Sequence, residues 1–364
     1  MSKITSIATA NPPFGHKQDT LFDFADAVYS RDAIESRKLK FVYHQSGIDT
    51  RYSVLADFGL PPSARTFFSV SKDLEPFPSL EQRMKCYSET SVPLSVDTIN
   101  ACIRGKVVES EITHLVTVSC TGMSAPGLDL QIMEAMNLSP NLQRTSVNFM
   151  GCYAAIHGLK LAHAFCNVKE NVNVLVVCTE LCTLHFQKEI THNNIMSSLL
   201  FSDGCAAMLI QNNSQHKGFT LEHFFSEVSF KGKKDMSWEM SGKGFLMTLS
   251  GYVPELIKED FDGLVTKALQ SAGKTKADVT HWCIHPGGKK ILQVIEESTQ
   301  LEKDDLRHSY DILKNFGNMS SASIVFVLQK IQDELLAANS TSAQVFGAAF
   351  GPGLTMETFL ASYD

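Results

Sequence analysis

Cys152, His285 and Asn318 are of types that could supply a thiol nucleophile, a proton acceptor and an oxyanion donor. Thr145–Phe149 reads as a strand, Gly151 as a turn, and Ala154, Ala155 and Gly158 as the start of a closely packed helix. Cys152 thus stands at a strand-to-helix junction. The unpaired N–H groups of the helix start favour a thiolate there, so its pKa is expected to fall. A low-pKa thiolate attacks readily and leaves readily, as a covalent acyl carrier must. A free cysteine is more commonly a small buried hydrophobe. Cys120, before Thr121-Gly122 at a strand end, is the second candidate nucleophile.

His285 ends the apolar run Trp282-Cys283-Ile284 and precedes Pro286-Gly287-Gly288, a loop that backbone can approach closely. His163, His216 and His308 lie in polar or helical settings and read as solvated or structural. Asn318 opens a helical pattern over 320–329, where an N-cap is the commoner reading and a donor into a cavity the alternative. Cys178 and Cys182 are spaced like neither a zinc ribbon nor a redox pair and read as core or cavity wall. No metal-ligand cluster stands out.

The elements that must position these groups are duplicated. Ile112–Val118 resembles Val279–His285, and Asn148–Cys152 resembles Asn315–Met319; 281 minus 114 and 315 minus 148 both give 167. A further apolar run follows each helix, Val174–Cys178 and Gln344–Ala349. Such runs read as buried strands of mainly parallel α/β units. The chain is therefore expected to be two similar α/β halves, 1–215 and 216–364, packed about a pseudo-twofold axis, with the site where they meet.

At 364 residues, with 44% hydrophobic and 20% charged residues, the chain can bury a sizeable core. A net charge of −7, without a dense Lys/Arg run, argues against nucleic acid or an anionic membrane as partner. No run approaches the ~20 apolar residues of a membrane span, and the start lacks the apolar stretch of a secretory signal. Nine cysteines, an odd number mostly in apolar runs, read as reduced thiols, so a cytoplasmic location is expected.

The sequence resembles the type III polyketide synthases, the chalcone-synthase-like branch of the thiolase superfamily, over essentially its whole length. The resemblance rests on an ordered set: Ile7-Ala8-Thr9-Ala10-Asn11-Pro12, Cys120-Thr121-Gly122 with Ala125-Pro126-Gly127, Asn148–Ala154, Leu200-Phe201-Ser202-Asp203-Gly204, His285-Pro286-Gly287-Gly288, Gly317–Ala322 and Phe350-Gly351-Pro352-Gly353-Leu354-Thr355. It implies a thiolase-like fold, duplicated α/β halves in a layered αβαβα arrangement, and a homodimer. It implies acyl-CoA and malonyl-CoA as substrates, no cofactor, and iterative decarboxylative Claisen condensation on Cys152, with His285 and Asn318 holding the thioester carbonyl. Phe201, Met247, Thr121, Cys182, His185 and Ser320 would line or gate the cavity, and Lys38, Gly287, Lys289 and Lys290 would meet CoA. Met247 replaces a gatekeeping aromatic of the plant enzymes, His185 a smaller residue, and Phe41 and Gln45 stand where basic residues are usual. Two other readings stay open: a ketoacyl synthase III-like enzyme making one condensation on a carrier-protein substrate, and a non-catalytic thiolase-fold binding subunit.

Overall fold

A computed structural model describes residues 1–212 and 215–364. The first half runs β1 (Ser2–Ala10), β2 (Phe14–Lys17), α1 (Gln18–Tyr29), α2 (Ala33–Gln45), β3 (Thr50–Ser53), α3 (Leu80–Ile103), β4 (His114–Ser119), α4 (Leu128–Ala135), β5 (Gln143–Asn148), α5 (Ala154–Val168), β6 (Asn173–Leu181), α6 (His192–Leu200) and β7 (Asp203–Asn212). The second runs β8 (Phe219–Val228), β9 (Met236–Ser241), β10 (Gly244–Leu249), α7 (Val253–Ser271), β11 (His281–Ile284), α8 (Lys289–Thr299), α9 (Arg307–Phe316), α10 (Ala322–Ala337), β12 (Ala343–Gly351) and β13 (Thr355–Tyr363).

Nine strands form one sheet in the order β11-β12-β13-β8-β1-β7-β6-β4-β5. Counted outward from the β1–β8 junction, β1-β7-β6-β4 mirrors β8-β13-β12-β11, the pseudo-twofold arrangement expected from the repeat. The inner strands are buried on both faces. Val116, Val118, Val174 and Val176 pack toward α5 and α10, while Leu115, Leu175 and Val177 pack toward α3 and α4. In β12 Val345 and Ala349 face the same central helices, and Phe346, Ala348 and Phe350 face α7 and α8. This period-two division of apolar residues between two cores makes five layers, αβαβα.

Two expectations change. The sheet is not mainly parallel: only β4–β5, β4–β6 and β11–β12 are parallel, and the other five neighbouring pairs are antiparallel. An apolar run reports burial on both faces, which a doubly covered antiparallel strand has as well. The repeat is also incomplete. A shift of 167 carries β5 onto 310–315, which lies inside α9, where Ser309, Ile312 and Leu313 are buried at helical spacing.

Candidate active site

The chain turns sharply between β5 and α5. Phe149 has φ +61° and Gly151 φ +94°. A Cβ on Gly151 would lie 2.3 Å from Pro352 Cδ, so glycine lets the β12–β13 loop of the second half press against the turn that carries Cys152. Cys152 emerges just before α5.

The matching turn of the second half is tied to the first. Gly317 has φ +69°, and a Cβ there would lie 2.7 Å from Arg51 Cγ. Asn318 N–H donates to Leu200 O and Ser202 N–H donates to Asn318 O, both at 2.9 Å, which fixes Asn318 beside Phe201. The Asn318 side chain is oriented too: Oδ1 accepts from Ser320 N–H at 2.9 Å and Nδ2 donates to Gly287 O at 3.2 Å. One amide hydrogen is left for another acceptor. His285 N–H donates to Ala348 O at 2.9 Å, extending β11 by a residue. Its ring is buried, and neither Nδ1 nor Nε2 has a hydrogen-bond partner.

Cys152, His285 and Asn318 all line one cavity of about 630 Å³, its mouth included. Thr121, Cys182, Phe201, Met247, Gly287 and Ser320 reach the same wall. His185 does not; it lines an adjoining chamber of about 700 Å³, its opening included, stacked on Phe245 with ring centroids 4.2 Å apart. Lys38 is an exposed residue of α2, while Lys289 and Lys290 form the first turn of α8. The Lys289 side chain runs against Gly47, just past the end of α2, so these two elements meet outside the cavity.

The electrostatics differ from the sequence expectation. Burial pushes the Cys152 thiol up to about 12, with the Glu180 carboxylate acting in the same direction and hydrogen bonds from Ser320 and Asn318 opposing it. Desolvation of the charged form outweighs what the helix start offers. Burial also pushes the His285 imidazole down to about 3. Cys120 shares the cavity, but its sulfur accepts the Gly151 N–H at 3.0 Å and burial raises its pKa well above the ordinary value. Cys178 is wholly buried in β6.

Residues 1–214 match the family model for chalcone and stilbene synthases, N-terminal domain, and residues 225–362 match the one for the C-terminal domain. The chain belongs to this family. The alpha-pyrone synthesis polyketide synthase-like Pks18 of Mycobacterium tuberculosis is 31% identical over 363 residues, 98% of this chain and 90% of its own length. The crystal structure of PKS-I from the brown alga Ectocarpus siliculosus superposes with a TM-score of 0.92 at 25% identity, covering 100% of this chain and 98% of that one. The C-terminal type III polyketide synthase domain of Steely1 from Dictyostelium gives 0.88 at 26% identity, with 100% and 99% covered. This protein is accordingly a type III polyketide synthase with the thiolase fold, an acyltransferase-type condensing enzyme.

Two residues of the polyketide synthase site escaped sequence reasoning. Trp238, on the β9–β10 hairpin, lines both cavities and donates from Nε1 to Cys120 O at 2.8 Å. Nothing in its local sequence signals this. Glu180 is a fully buried carboxyl behind the cavity wall, accepting from Ser321 Oγ at 2.5 Å and Cys120 N–H at 2.9 Å. A lone acid inside the apolar run of β6 was the available signal.

Burial pushes the Glu180 carboxyl from 4.5 up to about 7, so the fold favours its neutral form. The associated stability is present below about pH 4.5 and is lost as pH rises through about 7. That shift corresponds to about 3 kcal/mol. Glu180→Gln should therefore flatten the fall in stability between about pH 4.5 and about pH 8 and unfold later than wild type at the upper end, as read by urea denaturation. Parallel stability profiles for the two proteins would contradict it.

Proposed function

We propose that Cys152 takes an acyl starter from an acyl-CoA thioester and that His285 and Asn318 extend it with malonyl-CoA. The supporting observation is the pairing, on one cavity wall, of a thiol with an imidazole whose nitrogens are both unpartnered and an oriented amide with one free hydrogen.

The high thiol pKa and low imidazole pKa mean that neither charge is favourable alone in this cavity. In this reading the Cys152 proton moves to His285 as the thioester is attacked, so that the two charges arise together and face each other instead of either standing alone. The thiolate attacks the starter thioester, acyl-Cys152 forms, and the proton leaves with CoA as its thiol. Malonyl-CoA then loses CO₂. The electron pair of the broken C–C bond becomes an enolate whose oxygen is held by N–H groups of His285 and Asn318. The enolate carbon attacks the acyl-Cys152 carbonyl, the thiolate departs, and a β-ketoacyl-CoA two carbons longer returns to Cys152 or cyclises. Every step is thioester and enolate chemistry and calls on no cofactor.

Phe201 and Met247 stand as gate residues between cavity and entrance in this reading. Lys38, Lys289 and Lys290 supply positive charge for CoA phosphates. Two lysines in the first turn of α8 crowd the positive end of its dipole, an arrangement an anion relieves. We further propose an isologous homodimer in the cytoplasm, with the halves dividing near 215. No helix among the described residues is long and apolar enough to cross a membrane.

Incubation with malonyl-CoA and a panel of acyl-CoA starters, acetyl to long-chain, should release CO₂ and yield pyrones or resorcinols detectable by mass spectrometry. Condensation seen only with malonyl groups on acyl carrier protein would favour the single-condensation enzyme instead. Inertness toward both would favour a non-catalytic binding subunit.

A further inference from the structure

The outward face of α2 is apolar and basic at once. Positions 34, 38, 41 and 45 of a helix share one side, and here they hold Ile34, Lys38, Phe41 and Gln45, with Ile34 56% and Phe41 67% exposed. Arg37 and Lys40 flank the row and are exposed as well. We infer that this face docks a small acidic carrier protein that bears the starter acyl group as a thioester on a phosphopantetheine arm. The inference rests on Cys152 being the acyl carrier and leaves malonyl-CoA as the extender.

The helix does not need these outward side chains to form. Its other side buries Leu39 and Tyr43, and Asp32 caps it by accepting the Ile34 and Glu35 N–H groups. Among the described residues Arg37, Lys38 and Lys40 enter no ion pair. Arg37 donates from Nε back to Ala33 O at 3.2 Å, and Lys40 Nζ lies 5.9 Å from the centre of the Phe22 ring. The carboxylates close by are engaged: Glu35 pairs with Arg31, and Asp19 of α1 faces His44 at 3.3 Å. The face thus holds unbalanced positive charge around two bare apolar side chains, on a chain whose net charge is −7.

An exposed aromatic anchor ringed by cations is the composition of a protein interface with a charged rim. Phosphates alone use the lysines and leave Ile34 and Phe41 without a purpose. Those two stand seven residues apart, about 10 Å along the axis, a span that suits an acidic helix with an apolar ridge. The partner is small for an electrostatic reason. Charges are felt over about 8 Å at physiological ionic strength, so a small partner meets only the basic face, whereas an anionic bilayer would lie across the acidic remainder of the chain. Its cargo follows from where the face ends. The Lys289 side chain packs on Gly47 just past α2, Lys289 and Lys290 open α8, and Gly287 before them lines the cavity of Cys152. The phosphate of the arm meets these two lysines as a CoA phosphate does in the reading above. Cys152 Sγ then attacks the thioester carbonyl, the C–S bond to the arm breaks, and the Cys152 proton ends on the freed arm thiol.

The test compares loading of Cys152 in the full-length protein from a decanoyl group carried either by CoA or by the acidic acyl carrier protein of fatty-acid synthesis, at equal concentration, followed by intact mass over time. The carrier should load Cys152 about tenfold faster, the worth of one anchoring aromatic side chain. Phe41→Ser and Arg37→Glu should each remove most of that advantage and leave loading from decanoyl-CoA unchanged, and raising the salt to about 0.5 M should shrink it. Equal rates from the two donors, an advantage that survives both substitutions, or an equal loss with both donors would overturn the inference. Phe41-dependent binding to phosphatidylserine vesicles without a carrier advantage would overturn it in favour of a bilayer. Binding of the loaded carrier to full-length Cys152→Ala is measured in parallel. Binding that Phe41→Ser abolishes upholds the face even where Cys152 takes no acyl group from either donor, a result that counts against the synthase reading alone. Loading from CoA without any carrier binding counts against the face alone.

Discussion

His285→Ala should slow acyl transfer to Cys152 at neutral pH by about a hundred- to ten-thousand-fold, the usual effect of removing a positioned proton acceptor. The pH dependence gives a sharper signature. Without the imidazole the thiol keeps its burial, which outweighs the Ser320 and Asn318 hydrogen bonds and holds its pKa high. Its ionised fraction should then rise tenfold per pH unit through the neutral and mildly alkaline range. Wild type should not show that slope, because in the proposed mechanism the proton passes within the pair. Alkylation of Cys152 by iodoacetamide, followed by intact mass across pH in both proteins, reads the difference directly. Matching slopes would mean that His285 does not take the Cys152 proton.

Gly151→Ala should be nearly as damaging without touching a reacting atom. Alanine at φ +94° is strained, and its Cβ would fall 2.3 Å from Pro352 Cδ, inside contact distance. Either the nucleophile turn or the β12–β13 loop must move. A shift of the order of 1 Å at a reacting group costs about a hundredfold in rate, and the strain itself should remove about 1 to 3 kcal/mol of stability. Thermal unfolding and turnover measured on the same preparation test both parts. A variant with wild-type stability and turnover would show that the turn tolerates a Cβ and that the packing of the two halves does not set the position of Cys152.

The convergence of Cys152, His285 and Asn318 on one cavity was legible in the sequence because each follows or precedes residues with a special backbone role: Gly151, Pro286-Gly287-Gly288 and Gly317. The repeat of 167 residues disclosed the doubled architecture for the same reason, since it recurs at the turns. Strand direction was not legible, because Val174–Cys178 would be equally apolar in either orientation once both faces are covered. Nor was the replacement of a strand by α9, which breaks the repeat just before Asn318. The sign of the Cys152 shift was misjudged because a sequence displays the helix start but conceals the depth of burial. Trp238 and His185 owe their places to the β9–β10 hairpin folding over the cavity, a contact between segments that carry no shared pattern.

The most direct test of the account is the mass of the intact protein after brief exposure to an acyl-CoA starter without malonyl-CoA, followed by peptide mapping. One acyl group per chain, on the peptide containing Cys152 and absent from Cys152→Ala, is the predicted result. Acylation that persists in Cys152→Ala, or that maps to Cys120, would contradict the central claim that Cys152 is the nucleophile of this synthase.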